Sequence, residues 1–345
     1  MSGFITQSLG QLASLVALDF SENSWEGAII TEAHLDNLSS LKEVSITKQS
    51  TNISMLFNIS SDWLPPFKLT YIYIRSCQLG PRFLAWLRNQ NELKTLVLNN
   101  ARISHPFPDW FWKLDLLLDE LYVGSNQLSG EIPNSLQFHC PSNVNLSWNC
   151  FEGPLPLWSS NVSSLYLNDN LFSGPIPQKI GGMPYLTDLD ISWNSLSGSI
   201  PLSIGNLNAL TTLVISNNRL SGKIPEFWNN FSVLYIVNMS NNNLSGKIPT
   251  SNQFQTFNDP SIYEGNLGLC GLPLATNCTD NNKTPHFPGE EDTDDGDKFE
   301  KQWLYLSINS RKVLIRYCIF CIGKFLELKK AVEENLKKDE CSLIT

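Results

Sequence analysis

Apolar residues recur along this chain at intervals of 21 to 24 positions, and each group ends in an asparagine. One clear unit has Leu186, Leu189, Ile191 and Asn194, followed by the hexapeptide 196–201, Leu-Ser-Gly-Ser-Ile-Pro. The asparagines that close the clearest units are Asn126, Asn149, Asn170, Asn194, Asn218 and Asn242. A fixed period of this length predicts a stacked repeat array, so the 345 residues need not divide into separate globular domains.

About ten units fit between Leu15 and Pro249, with an irregular stretch at about 49–66. Alternation within each unit predicts a short strand whose leucines point inward and whose intervening residues point outward. One unit cannot bury its apolar side alone, so we expect stacked units to share a core. The asparagine can satisfy backbone groups of neighbouring coils, although Cys77 and Ala101 take its place in two weaker units. In the hexapeptide, glycine permits a tight turn and proline halts strand pairing.

The outward strand positions define a predicted concave face rich in aromatic residues and carboxylates. Its central column is Tyr73, Val97, Tyr122, Asn145, Tyr166, Asp190, Val214 and Asn238. Together with the flanking positions it supplies eight candidate ligand-binding residues: Tyr73, Tyr122, Trp148, Tyr166, Asp169, Asp188, Asp190 and Trp193. Such side chains suit a protein, peptide or glycan ligand. The alternative is that they only cover the sheet.

Both ends of the array differ from its middle. Residues 2–15 align with residues 197–210, so the chain is expected to begin inside a repeat, without a signal peptide or an amino-terminal cap. Residues 250–279 are predicted to form the carboxy-terminal cap, in which Phe254, Phe257, Ile262 and Tyr263 cover the last coil. Within the cap, Cys270 and Cys278 are close enough in sequence for a short disulfide, which implies an oxidising compartment; the alternative is two free thiols.

The predicted division of the chain is a repeat array at 1–249, the cap at 250–279, an acidic disordered linker at 280–302 and a juxtamembrane-like helical tail at 303–345. Residues 280–300 carry eight acidic and two basic side chains. In the tail, Arg316 and Lys324 interrupt the most apolar run, 313–326, which is also too short to span a bilayer. An apolar stripe does make residues 312–338 compatible with a helix.

Charge and motifs exclude several classes of function. A net charge of −9 argues against a nucleic-acid partner. The four histidines are far apart in sequence, and Cys318-x-x-Cys321 has no second ligand pair, so no metal site and no cofactor are predicted. No kinase or serine-hydrolase motif occurs, so we expect the protein not to be an enzyme.

Ten N-x-S/T sequons fit a glycosylated secretory protein. The six glycosylation candidates are Asn37, Asn52, Asn58, Asn161, Asn230 and Asn277. Glycans on the sequons at Asn145 or Asn238 would obstruct the predicted concave face.

The unit L-x-x-L-x-L-x-x-N-x-L-S-G-x-I-P resembles the plant-specific class of leucine-rich repeat. The segment from Asn243 to Gly271 resembles the closing part of plant receptor-like proteins, in the group that includes receptors for fungal ethylene-inducing xylanase. The resemblance implies an α/β repeat solenoid, a right-handed leucine-rich-repeat superhelix. We expect a parallel concave sheet, a convex side of short 3-10 and irregular segments, and a helix in the C-terminal tail.

The family resemblance also implies a function. Its members recognise signals at the plasma membrane and act through partner receptor kinases. In that family a non-repeat island interrupts the array and one membrane helix follows the acidic stretch. Here no island is seen, and charged Arg311 and Lys312 follow the start of the expected helix. The main hypothesis is a receptor ectodomain in defence or peptide signalling. The alternatives are a soluble inhibitor of a secreted enzyme, like the polygalacturonase-inhibiting proteins, and a non-functional truncated paralogue.

Overall fold

The structure is a computed structural model that describes residues 5–23, 28–47, 55–158, 161–226, 228, 231, 233–250 and 252–278. The chain forms two units, Met1–Thr279 and Asp280–Thr345, and the described residues all belong to the first. The predicted acidic linker and tail helix lie outside the described residues.

Ten parallel strands of the described chain form one continuous sheet, called the concave sheet below. In spatial order they are β1 (Ala17–Asp19), β3 (Glu43–Ile46), β5 (Tyr71–Arg75), β6 (Thr95–Asn99), β7 (Leu117–Tyr122), β9 (Gln137–Asn145), β11 (Val162–Tyr166), β13 (Asp188–Asp190), β15 (Thr212–Val214) and β17 (Ile236–Asn238). Neighbouring strands come from successive repeats, as expected for a solenoid in which each coil contacts the next.

A second parallel sheet of seven strands accompanies the concave sheet through most of the array. Its strands are β8 (Ser129–Glu131), β10 (Cys150–Gly153), β12 (Leu171–Pro175), β14 (Ser195–Ser199), β16 (Arg219–Gly222), β18 (Asn243–Lys247) and β19 (Gly268–Cys270). The sequence predicts a turn at the Leu-Ser-Gly segment. Its glycines do have positive φ, +77° at Gly198 and +89° at Gly246, but the flanking residues pair between coils. The strands end just before Ile-Pro, where proline removes the next donor.

Short helices connect the two sheets. A four-residue helix, α1, spans Asp109–Trp112. The described 3-10 helices span Gln7–Gln11, Glu32–His34, Ala85–Asn89, Gln178–Gly182, Leu202–Asn206, Asn252–Thr256 and Pro260–Ile262. Near the amino-terminal end, β2 (Ala28–Ile30) and β4 (Met55–Phe57) pair as a separate two-stranded sheet, and β4 lies within the stretch predicted to be irregular. Within the described residues, no helix has the length and apolar character needed to cross a bilayer.

One apolar core runs along the whole array between the sheets. The inward residue of each concave strand is buried, and Leu189 and Leu213 have no exposed surface. Each fully buried leucine contributes about 1.5–3 kcal/mol relative to an exposed one. The stacking of successive coils therefore provides the stabilisation that a single coil lacks.

The asparagines form the hydrogen-bonded ladder that their spacing predicted. Asn170, for example, accepts from the backbone N–H of Phe151 (3.0 Å) and donates to the carbonyl of Leu146 (3.0 Å), both in the preceding coil. It also donates to Leu167 and Asn168 in its own coil. Each rung thus satisfies backbone groups that would cost about 1–3 kcal/mol if left buried and unpaired.

The ladder continues one coil beyond Pro249. Asn266 accepts from the N–H of Leu244 (3.0 Å) and donates to the carbonyl of Met239 (3.0 Å). The apolar spacing does not predict this rung, because only Tyr263, three residues before Asn266, matches an apolar position of the unit; the positions five and eight residues before it are Ser261 and Asn258. Tyr263 and the neighbouring Phe257 are both buried. The segment after Pro249 therefore repeats the coil geometry while its aromatic side chains close the core.

Candidate ligand-binding face

Strand register aligns the outward residues of the concave sheet in two straight columns. The central column is Asp19, Ser45, Tyr73, Val97, Tyr122, Asn145, Tyr166, Asp190, Val214 and Asn238. The first column, two residues earlier in each strand, is Ala17, Glu43, Tyr71, Thr95, Glu120, Asn143, Ser164, Asp188, Thr212 and Ile236. The structure therefore places Tyr73, Tyr122, Tyr166 and Asp190 in one line, with Asp188 beside it.

A third line, called the turn column, follows the strands. Each non-glycine member precedes a ladder position and has a left-handed backbone, with φ between 52° and 56°. Its non-glycine members are Glu22, Ser76, Asn100, Ser125, Trp148, Asp169, Trp193, Asn217 and Asn241. Trp148, Asp169 and Trp193, predicted only as neighbours of the central column, thus occupy equivalent positions of three consecutive coils. Trp148 is 48% exposed and Trp193 is 36% exposed.

Aromatic residues dominate the face around β5. The rings of Tyr71 and Tyr73 stack with centroids 5.8 Å apart and planes 6° from parallel, and the Arg75 guanidinium lies 4.9 Å from the Tyr73 ring centroid. Burial raises the pKa of Tyr71 and Tyr122 above the ordinary value of 10.0. Tyr71 and Arg75 are not among the predicted site residues, although their spacing of two from Tyr73 places all three on one side of the strand.

One predicted member of the central column is not available to a ligand. Val97 lies between Tyr73 and Tyr122 in the column and has no exposed surface. Its position is as predicted, but the two larger neighbouring side chains flank it. Accessibility in this column therefore depends on side-chain size in adjacent coils, and a single strand pattern does not report it.

Carboxylates dominate the face from β11 to β13. Burial raises the pKa of Asp190, although hydrogen bonds from Ser192 oppose the shift; Asp190 Oδ1 accepts from the Ser192 hydroxyl (2.6 Å) and backbone N–H (3.0 Å). Burial also raises the pKa of Asp169, which accepts a 2.7 Å hydrogen bond from the Asn168 side chain. Asp188 accepts from the hydroxyls of Thr187 and Ser164. This region of the face is therefore both acidic and partly desolvated.

The predicted modification sites are distributed unevenly. Asn37, Asn58 and Asn277 are exposed. Asn161 is half-buried, and its side chain donates a 2.9 Å hydrogen bond to the carbonyl of Phe138. Asn52 and Asn230 lie outside the described residues. The Asn145 side chain on the concave face accepts a 2.6 Å hydrogen bond from the Ser147 hydroxyl, and this contact orders the turn.

Cys270 and Cys278 form a disulfide with their Cα atoms 5.1 Å apart. It joins β19 to the last described residue and lies outside the concave columns. Among the described residues, no group of three or more histidine, cysteine, aspartate or glutamate side chains could hold a metal ion.

The fold and the ladder define the class of protein, a leucine-rich-repeat solenoid. The Leucine Rich Repeat family model matches residues 117–138, 185–207, 209–231 and 233–255. In fold, the chain is similar to the plant peptide hormone receptor RGFR1, in a structure with RGF2, with a TM-score of 0.59 and 24% identity over 72% of this chain and 43% of the receptor. A plant ice-binding protein gives a TM-score of 0.55 and 25% identity over 81% of both chains.

The particular relatives are plant receptor-like proteins. Receptor-like protein EIX2 of Solanum lycopersicum is 38% identical over 150 residues, which cover 43% of this chain and 14% of the relative. EIX1 of the same plant is 41% identical over 134 residues, 39% of this chain and 13% of the relative. Receptor-like protein 7 of Arabidopsis thaliana is 35% identical over 163 residues, 46% of this chain and 16% of the relative. The matched segments thus span less than a fifth of each relative, and the relatives are receptor-like proteins rather than enzymes.

Proposed function

We propose that this chain is the ligand-recognition part of a plant cell-surface receptor-like protein. The relatives that it matches are named receptor-like proteins, and ten described strands of its solenoid form one continuous parallel sheet. The observation that carries the proposal is the alignment of Tyr73, Tyr122, Tyr166 and Asp190 in one column of the concave sheet. Half-buried aromatic side chains in register can contact successive residues of an extended ligand.

The same proposal includes location and signalling. We place the protein on the extracellular side of the plasma membrane, in defence or peptide signalling through a partner receptor kinase. The Cys270–Cys278 disulfide and the exposed sequons at Asn37, Asn58 and Asn277 support an oxidising secretory route. The division into an array, a cap, an acidic linker and a juxtamembrane tail belongs to this proposal as well.

A displayed-peptide selection tests the proposal. The full chain is produced in a bacterial periplasm, which permits the disulfide and adds no glycan, and is immobilised against a phage library of random 12-residue peptides. We expect a recurrent consensus whose affinity falls about 10-fold or more in Tyr122→Ala and in Tyr166→Ala, since aromatic anchors of this kind contribute 1.4 kcal/mol or more.

Tyr185→Ala is the matched control. Tyr185 is 50% exposed but lies between the 3-10 helix Gln178–Gly182 and β13, outside the three columns. The consensus peptides should bind this variant as they bind the wild type. Failure to enrich any consensus, or a consensus indifferent to both column tyrosines, would overturn the proposed function.

A further inference from the structure

Two exposed tryptophans and an aspartate form adjacent rungs of the turn column. The backbone N–H of Asn149 donates to the carbonyl of Asp169 (3.1 Å), and the N–H of Asn170 donates to the carbonyl of Trp193 (3.2 Å). These bonds hold the three coils in register at this column. Trp148 is therefore two coil spacings from Trp193, and Asp169 is on the coil between them.

The spacing suits a cation held between the two indoles. Adjacent coils of a parallel sheet are about 4.8 Å apart, so the two tryptophan positions are roughly 9.6 Å apart. A group midway between these backbone positions is about 4.8 Å from each. Two indoles carried on these positions can therefore both approach one cation within the roughly 6 Å of a ring centroid over which cation–π attraction operates. The coil at that midpoint is the one that carries the Asp169 carboxylate.

The stability of the fold does not explain why tryptophan occupies positions 148 and 193. Both are exposed, in contrast to Trp228 with 1% exposure, so neither contributes a full burial term. Both also adopt a left-handed backbone, with φ of 56° and 52°, that a bulky side chain seldom occupies. Asn100, Asn217 and Asn241 hold the same column position with a residue type that tolerates this conformation.

Charge selects the occupant. On the concave strands β9, β11, β13 and β15 and their turn-column positions, the described residues include three carboxylates, Asp169, Asp188 and Asp190, and no lysine or arginine. Asp169 is half-buried, and its Oδ2 accepts a hydrogen bond from the Asn168 side chain. A neutral sugar could stack on the indoles but would leave this excess of negative charge uncompensated.

We propose that Trp148, Asp169 and Trp193 form a subsite for one basic side chain, arginine or lysine, of an extended peptide ligand. The cation lies between the indole faces and pairs with the Asp169 carboxylate, while the peptide backbone follows the central column past Tyr166. This inference rests on the proposed function and specifies the ligand chemistry at one position.

The test uses the same peptide selection with three variants, Trp148→Asn, Trp193→Asn and Asp169→Asn. Asparagine is native to this column, so each variant retains a residue type that the left-handed backbone accepts. The periplasmic host adds no glycan to the Asn-Asn-Ser sequence that Trp193→Asn creates. We expect the wild-type consensus to contain a fixed arginine or lysine, and each variant to bind the consensus peptide about 2- to 30-fold more weakly. A peptide with glutamine at the basic position should bind the wild type more weakly by a similar factor. Its affinity should be nearly the same for the wild type and for either tryptophan variant.

The outcomes separate this inference from the proposed function. A consensus without a basic residue that still depends on Tyr122 and Tyr166 would overturn the cation subsite and leave the receptor proposal intact. Absence of any consensus on the wild type would overturn both. Cellohexaose serves as the glycan probe in titration calorimetry. Binding of cellohexaose that requires both tryptophans but is unchanged in Asp169→Asn would replace the cation with a sugar and overturn the inference.

Discussion

At the scale of single residues, the left-handed backbone of the turn column has a cost in conformational free energy. A residue with a Cβ atom costs roughly 1–2 kcal/mol of conformational free energy in a left-handed conformation, and asparagine is among the residues that tolerate it best. Trp148 and Trp193 both have this backbone conformation although their side chains are bulky and exposed. The trade of stability for an exposed aromatic group is characteristic of binding sites.

We predict that Trp148→Asn stabilises the protein by about 1 kcal/mol because it relieves backbone strain at that position. Urea unfolding followed by far-ultraviolet circular dichroism measures the change. The reverse substitution at an equivalent position, Asn217→Trp, should lower stability by a similar amount. Equal or reduced stability in Trp148→Asn would mean that indole packing on its neighbours outweighs the strain.

Asp190 gives a prediction that depends on pH. Asparagines at equivalent positions of the central column, Asn145 and Asn238, accept the same turn hydrogen bonds that Asp190 accepts, so Asp190→Asn preserves the contacts and removes the charge. Burial raises the pKa of Asp190 above its ordinary value of 3.8, so the ionised carboxylate destabilises the folded state.

The Asp190→Asn variant should therefore be more stable than the wild type above the folded-state pKa, by less than about 1 kcal/mol for a partly screened charge. The gain should shrink as pH falls through the raised pKa and vanish below the unfolded value, because the protonated wild-type carboxyl no longer carries the charge. Paired urea titrations of the variant and the wild type at pH 7 and at pH 3.5, on non-glycosylated protein, measure the difference in stability. A gain that stays constant with pH would show that desolvation of the charge is not its source.

At the scale of elements, short helices of successive coils pack closely on each other. The 3-10 helices Gln178–Gly182 and Leu202–Asn206 follow Pro177 and Pro201, which occupy their N-cap positions without a side-chain hydrogen bond. Two adjacent glycines end the first helix in different surroundings. A Cβ at Gly181 would overlap the backbone oxygen of Ser203 in the next coil, whereas a Cβ at Gly182 would have no heavy atom within 4 Å.

These two glycines form a matched pair for mutation. Gly181→Ala should destabilise the protein by about 1–3 kcal/mol, since the neighbouring backbone must shift to accept the methyl group. Gly182→Ala should be neutral or stabilising by up to about 1 kcal/mol, because it only restricts the unfolded chain. Thermal unfolding of both variants measures the difference. Equal effects at the two positions would show that the coils are not packed as closely as described.

At the scale of the whole molecule, stability in a linear array is a sum of local and nearest-neighbour terms. A perturbation at one coil should therefore remain near that coil. The face proposed to bind ligand is built on β5 to β13, whereas the disulfide and the Asn266 rung belong to the coil beyond β18. The two regions are expected to respond independently.

Replacement of both Cys270 and Cys278 by serine should remove about 2–3 kcal/mol of chain-entropy stabilisation. Hydrogen exchange should accelerate in the coil that contains Asn266 and remain unchanged in β11 and β13. Peptide affinity should also be retained. Faster exchange in β11 and β13 would show instead that the array unfolds as one cooperative block.

Much of this molecule follows from the sequence alone, because the repeat is local and periodic. The alternation of leucines places Tyr73, Tyr122, Tyr166 and Asp190 on one face, and the spacing of the asparagines identifies the ladder. Both follow from geometry within a single coil. The disulfide partners are also close in sequence, at Cys270 and Cys278.

Only the tertiary structure decided what depends on contacts between coils. The Leu-Ser-Gly segments pair into a second sheet, Val97 is buried between two tyrosines, and Asn266 adds a rung where the leucine pattern has changed. Trp148, Asp169 and Trp193 each precede a predicted ladder asparagine, so the repeat spacing already gives them equivalent positions; the structure adds their left-handed backbone and the exposure of the two tryptophans. Their alignment is fixed by inter-coil hydrogen bonds, and side-chain accessibility is fixed by the size of the neighbours that those bonds bring together.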